Sequence, residues 1–202
     1  MKLDRQEIAR YLGYGRTPMP PEVSALAETC MGELERAVIP RSLGRRMAVR
    51  RFTEASRDLA HHLRHCEEAV LYAITLGPQA DLLLRRWSVR DVAKAAVGQA
   101  VCAAWLDQLA ADYVEGLELG EGEYLTPPFS PGYGDWSLSH QQEVLDLLDA
   151  TRRMGLSLTG AGMLVPEKSI TALVGISDRQ EESCGQKCMR CNKKDCPFRS
   201  AD

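Results

Sequence analysis

The sequence predicts an α+β fold: a mostly helical single domain over residues 1–178 with a small, largely antiparallel sheet, then a short Cys-rich metal-binding tail over 179–202. Three observations carry this. Apolar residues recur at three- and four-residue spacing through much of the chain, the period of helices that bury one face. Two segments, 69–76 and 169–177, depart from that period and read as strands. Four of the seven cysteines crowd into residues 184–196, after a polar linker at 178–183.

Asp4 and Glu7 have capping-box spacing, Leu3 and Ile8 that of a hydrophobic staple, and Gly13 stops a first helix. Pro20-Pro21 introduces a second helix in which Val23, Leu26, Ala27, Cys30 and Leu34 share one face. The arginine-rich segment 45–52 alternates around Met47 and Val49 and reads as a strand; 55–65 reads as a helix. Residues 69–76 are a continuous apolar run ended by Gly77-Pro78, as in a buried strand. A short helix at 79–86 follows, and Ser88 and Asp91 cap a long helix that reaches Leu117. Its small residues Ala95, Ala96, Gly98, Ala100, Ala103 and Ala104 let neighbouring backbones come close, which predicts a central, buried place for it. Residues 118–128 form an acidic, glycine-containing loop. Ser139 opens another helix with Gln142 at capping-box spacing, and Val144, Leu147, Leu148, Thr151 and Met154 carry it to a stop at Gly155. Segments 156–165 and 169–177 are extended. In the second, Ile170, Ala172, Val174 and Ile176 alternate with Thr171 and Gly175, the pattern of a strand with one packed face.

Between the acidic loop and the Ser139 helix runs Phe129-Ser130-Pro131-Gly132-Tyr133-Gly134-Asp135-Trp136. Pro131 fixes one dihedral while Gly132 and Gly134 free the backbone on either side of Tyr133. An aromatic ring is thereby presented where backbone can approach a ligand; it can stack on a purine or face a cation, with Asp135 two residues away. The same residue types also build plain turns.

This loop, the helix after it and Leu164-Val165-Pro166-Glu167-Lys168-Ser169-Ile170 together resemble the activation domain of cobalamin-dependent methionine synthase. The upstream run Ala73-Ile74-Thr75-Leu76-Gly77-Pro78, followed by a small-residue helix, is similar to that family too, so the resemblance spans residues 20–178. It implies an S-adenosylmethionine site built on Ser130, Pro131, Gly132, Tyr133, Gly134 and Asp135. One departure stands out. The family usually places an arginine four residues before the glycine of the loop, to meet the ligand carboxylate, and here that position is Pro128. Proline cannot make the bidentate pair of an arginine with a carboxylate. Another cation substitutes, the ligand is held differently, or binding has been lost.

The family's domain acts on cobalamin carried elsewhere on a long polypeptide, and no Asp-x-His-x-x-Gly run of a cobalamin domain occurs here. The resemblance therefore implies a free-standing reactivation factor with methyltransferase-associated activity. It would use S-adenosylmethionine to support reductive remethylation of cob(II)alamin on a separate methionine synthase or related corrinoid protein, with an electron donor as a further partner. The alternatives are a corrinoid-protein interaction module without S-adenosylmethionine chemistry, and a redox or metal protein centred on the tail.

Composition narrows the classes. At 202 residues and 45% hydrophobic content the chain can bury a sizeable core unaided. A net charge of −3 argues against nucleic acid as an obligatory partner. Charged residues interrupt each apolar stretch before membrane-spanning length, and the start lacks an apolar signal core, so a cytoplasmic location without membrane contact is expected. No phosphate-binding loop, dinucleotide fingerprint or Ser-His-Asp order is present. His61 and His65, and likewise His62 and Cys66, have the i, i+4 spacing that can bind zinc, though a solvated helix face uses the same spacing. His140 falls in a first helical turn with no acid–base role indicated.

Cys184, Cys188, Cys191 and Cys196 follow a Cys-x3-Cys-x2-Cys-x4-Cys pattern, whereas Cys30, Cys66 and Cys102 lie scattered in apolar helical surroundings as core residues. Without a secretory signal the close set points to metal rather than disulfides. An iron–sulfur cluster is favoured: Cys196-Pro197 resembles the ending of ferredoxin cluster motifs, and zinc modules separate their ligand pairs by a longer insert. Zinc is the alternative. The first three cysteines also match the spacing of radical S-adenosylmethionine enzymes. That motif opens a barrel in its own family, and Cys196 would fill the iron site such chemistry needs open.

Overall fold

The structure, a computed structural model, describes residues 3–15 and 17–179. Its centre is β2 (Cys66–Thr75), a strand in which every residue from Ala69 to Thr75 is buried. Side chains alternate across a strand, so Val70, Tyr72 and Ile74 enter one core while Ala69, Leu71 and Ala73 enter another. β1 (Arg41–Ala48) pairs with β2 antiparallel, Arg41 opposite Thr75; β6 (Ser169–Ser177) lies on its other side, Ser169 also opposite Thr75. β3 (Tyr124–Leu125) adds to β6, giving a four-stranded antiparallel sheet in the order β1-β2-β6-β3.

One face carries α1 (Arg5–Tyr11), α2 (Pro21–Ala37), α5 (Pro78–Arg90) and α6 (Val92–Glu115). The other is covered by the short helices α3 (Arg50–Thr53), α4 (Arg57–His62), α7 (Gln141–Leu148) and α8 (Ala150–Met154), with Trp136 buried among them. The α+β class and the antiparallel sheet are as the sequence predicts. Of the small residues of α6, Ala95, Gly98, Ala100 and Ala104 are buried while Ala96 is exposed, and close packing is tightest at Gly98, where a Cβ would stand 2.6 Å from Cζ3 of Trp87, on α5. Among the described residues, no helix is long and apolar enough to cross a membrane.

Several elements differ from expectation, each for a local reason. The strand expected at 45–52 starts at Arg41 and ends at Ala48, because pairing with β2 sets its length; the chain then turns into α3, which buries Phe52. The helix expected at 79–86 runs on to Arg90, and Ser88 lies inside it, donating to the Arg85 carbonyl. Asp91 alone caps α6, accepting from the Lys94 amide at 2.9 Å. At the later helix the capping hydroxyl is Ser137, which accepts from the Ser139 amide and opens a single 3-10 turn (Leu138–His140) before α7. The helix expected to run unbroken to Gly155 is divided at Asp149, whose φ of 51° lies in the left-handed region. Residues 156–165 form a small hairpin of β4 (Ser157–Leu158) and β5 (Leu164–Val165).

β6 has two packed faces rather than one. Ala172, Val174 and Ile176 join the long-helix core and Leu173 the other. On that second face Thr171 accepts from Gln141 Nε2, and Gly175 leaves room for Cys66 and Leu63.

Candidate ligand-binding site

After β3 the chain stays on the free edge of β6. The Thr126 amide donates to the Gly175 carbonyl (2.9 Å), the Gly175 amide donates to Thr126 Oγ1 (2.8 Å), and Phe129 exchanges two backbone hydrogen bonds with Leu173 at 2.8 Å each. From this edge two turns project. The Tyr133 amide donates to the Ser130 carbonyl and the Trp136 amide to the Tyr133 carbonyl, both at 3.0 Å, while the Gly132 amide donates to the Trp136 carbonyl at 2.7 Å. Gly132 (φ 94°) and Gly134 (φ 52°) supply the conformations that side chains resist. Tyr133 therefore sits where the turns join, 52% exposed, its ring edge-on to Phe129 at 5.9 Å. Phe129 in turn lies 6.2 Å from the buried Trp136 ring, so the exposed aromatic rests on an apolar base.

Asp135 is held by the protein itself. Its carboxylate accepts from Ser56 Oγ, from the Arg57 amide (3.0 Å) and from the Asp58 amide (3.1 Å), while its own amide donates to Asp58 Oδ2 (3.0 Å). These bonds, that from Ser56 foremost, hold its carboxyl below the ordinary aspartate value. Asp135 thus clamps the start of α4 to the loop.

Ser130 and Tyr133 line a cavity of about 630 Å³ between the loop, the sheet and α6. Tyr72, Ile170 and Ala172 reach it from the sheet, and Ala110, Ala111 and Val114 from α6. Two carboxylates complete it, Asp107 and Glu115, and none of the described residues lining it is a lysine or arginine. Pro128 lines it as well, at the position where the resemblance calls for an arginine. Pro131, Gly132, Gly134 and Asp135 do not line it; they shape the loop that carries Tyr133. Asp107 accepts from Tyr11 Oη and, at 3.3 Å, from Arg10 Nη2, and burial pushes its carboxyl above the usual value. The volume falls in the range of small-molecule pockets; the apolar lining suits a flat ring, and the aromatic lip and acidic groups suit a positive centre beside it.

Asp107 and Glu115 do not stand out in the sequence, but a signal exists: Asp107, Ala110, Ala111, Val114 and Glu115 share one helical face, an apolar stripe closed at each end by an acid. His62 carries no such signal. It reaches residues distant in sequence, its Nε2 2.8 Å from the Pro127 carbonyl and its ring 5.1 Å from Phe129. α4 ends at His62, short of the helix expected over 55–65, so His65 and Cys66 lie beyond it and neither i, i+4 pair shares a helix; among the described residues no group of three or more His, Cys, Asp or Glu could hold a metal. Cys30, Cys66 and Cys102 are buried as expected, though Cys66 opens β2 rather than lying on a helix, and burial pushes the Cys30 and Cys102 thiols up to about 11 and about 12. Cys184, Cys188, Cys191 and Cys196 lie outside the described residues.

No protein-family model matches this chain, and no curated protein matches it. Among solved structures it is similar to the crystal structure of the MetH reactivation domain bound to AdoHcy. The TM-score is 0.54 at 13% sequence identity, over 88% of this chain and 75% of that one. At that identity the likeness establishes a shared fold.

Proposed function

We propose that this chain is a free-standing reactivation factor that binds S-adenosylmethionine and supports reductive remethylation of cob(II)alamin on a separate corrinoid-dependent methionine synthase. The observation that carries the reading is the cavity beneath Tyr133, with its two carboxylates, on a fold shared with the AdoHcy-bound MetH reactivation domain. S-adenosylmethionine supplies a methyl group and leaves as S-adenosylhomocysteine, while an electron donor provides the one electron that cob(II)alamin needs to end as methylcobalamin. The chain's own part is positioning. The apolar wall of Ala110, Ala111 and Val114 takes the adenosine, Tyr133 closes over the positive centre, and Glu115, with the part of the Asp107 charge that Arg10 leaves uncompensated, favours the charged sulfonium over a neutral thioether. Pro128 requires that the ligand carboxylate be held from elsewhere.

Truncating the aromatic lip tests this. Tyr133→Ala is expected to raise the Kd for S-adenosylmethionine about two- to thirtyfold, the equivalent of losing ~0.5–2 kcal/mol of aromatic–cation contact. The half-exposed ring contributes little to the core, so thermal stability should hold. Calorimetry and a melting curve decide between a ligand role and a packing role. Docking gives a second expected outcome. The chain should bind a corrinoid partner in its cob(II) form more tightly than the same partner methylated, because only differential affinity shifts an equilibrium. Equal affinities in a surface-binding measurement would count against reactivation.

Pro128 and the absence of a basic residue among the described lining favour a second reading, a corrinoid-protein interaction module without S-adenosylmethionine chemistry. No heat on titration with millimolar S-adenosylmethionine would select it.

A further inference from the structure

We propose that α4 is a splint for the ligand loop and that His62 is the positioning residue that fixes the loop's entry side; this rests on the ligand reading of the cavity. Six residues are too few for a helix to persist by itself. α4 is instead held at three points: Asp135 at its start, buried Leu59 in the core, and His62 at its end. The two polar anchors, Pro127 and Asp135, bracket the segment that brings Pro128, Ser130 and Tyr133 to the cavity.

The need for the entry anchor follows from the double proline. The β6 edge holds the chain through the amides of Thr126 and Phe129, and neither Pro127 nor Pro128 has an amide to donate. Across that gap the His62 ring takes over, with Nε2 donating to the Pro127 carbonyl at 2.8 Å and the ring packed at a 41° tilt against Phe129. A carbonyl only accepts, so Nε2 carries the hydrogen in this contact whether or not the ring is protonated. Thr126 Oγ1 also donates to this carbonyl, at a longer 3.3 Å and from the adjacent residue, so it does not tie the loop to α4.

Two variants of the full chain separate positioning from packing. His62→Phe keeps a ring against Phe129 and removes the donor; His62→Gln keeps a donor near the same place and removes the ring. In His62→Phe the amides of Gly132 and Tyr133 should exchange with solvent three- to tenfold faster, and the Kd for S-adenosylmethionine should rise by about the same factor, the scale of one hydrogen bond. His62→Gln should return both to within about twofold of the parent. Unchanged exchange and affinity in His62→Phe, or a His62→Gln variant as impaired as His62→Phe, would overturn the proposal. So would losses that track the melting temperature across both variants, since a merely structural role behaves that way. If the parent chain binds no S-adenosylmethionine, the ligand reading fails while the exchange rates still decide whether α4 splints the loop.

Discussion

Gly134→Ala is expected to lower the stability of this protein by about 2–4 kcal/mol, more than a typical surface substitution. Three effects add. The residue sits at φ 52°, where an L side chain costs about 1–2 kcal/mol. A Cβ there would stand 3.0 Å from the Cβ and Cγ of Asp58 and closer still to Oδ2, so a short side chain with little freedom to retreat must move. Moving Asp58 breaks its bond to the Asp135 amide and disturbs the carboxylate that holds the start of α4. For a chain of this size each kcal/mol shifts the melting temperature by about 2–4 °C, so a drop of roughly 5–15 °C is expected. The cause is separable by a double-mutant cycle. Adding Asp58→Ala removes the Oδ2 and Cγ contacts and leaves only the Cβ one at 3.0 Å, so the pair should cost less than the sum of its members by at least about 0.5 kcal/mol. Strict additivity, or an unchanged melting temperature for Gly134→Ala, would show that the loop does not depend on this contact.

The same contact shows what the sequence conceals. The loop can be read from Pro131, Gly132, Tyr133 and Gly134 because glycine and proline act on their own backbone, whoever the neighbours are. Asp135 is legible only as a charge; that its partners are Ser56 and the amides of α4 is a fact of tertiary packing. β6 makes the same point. Ile170, Ala172, Val174 and Ile176 announce one buried face, while the other is filled by a glycine that accommodates Cys66 and a threonine that meets Gln141, residues that read as solvent-facing until their partners are known. Helix boundaries fail for a related reason. Ser88 and Ser139 have the type and spacing of caps, but of the expected pair Ser88 and Asp91 only Asp91 takes the α6 bond, and at the later helix Ser137 caps in place of Ser139, because the chain turns where they stand. The cavity was half legible: its lip follows from the loop, its acidic side from α6 only once the sheet brings the helix opposite.

Replacing Cys184, Cys188, Cys191 and Cys196 together by serine is expected to abolish metal binding altogether, from about one centre per chain to none. Four thiolates complete a closed tetrahedral or cubane site, and serine hydroxyls are far harder to deprotonate and to pair with a soft metal. Protein prepared without oxygen should be brown, with a broad absorbance that bleaches on reduction, if the centre is an iron–sulfur cluster; colourless protein with about one zinc would make the tail structural and require an external electron donor. Lys187, Arg190, Lys193, Lys194 and Arg199 would offset the negative charge of either centre equally, so composition does not choose between them. The buried Cys66 is common to parent and variant and cancels between them, and the other two core cysteines stay silent. With thiols pushed up to about 11 and about 12 by burial, Cys30 and Cys102 hold little thiolate at neutral pH and should resist alkylation in the folded state. Thiols that react in the folded parent after chelation, and are missing from the serine variant, therefore report the tail. A redox-active centre there would sit on the same chain as the ligand cavity and could pass on the single electron that remethylation needs. Metal-free protein with four freely reactive tail thiols, from both anaerobic and zinc-supplemented preparations, would remove the site and with it that route for the electron.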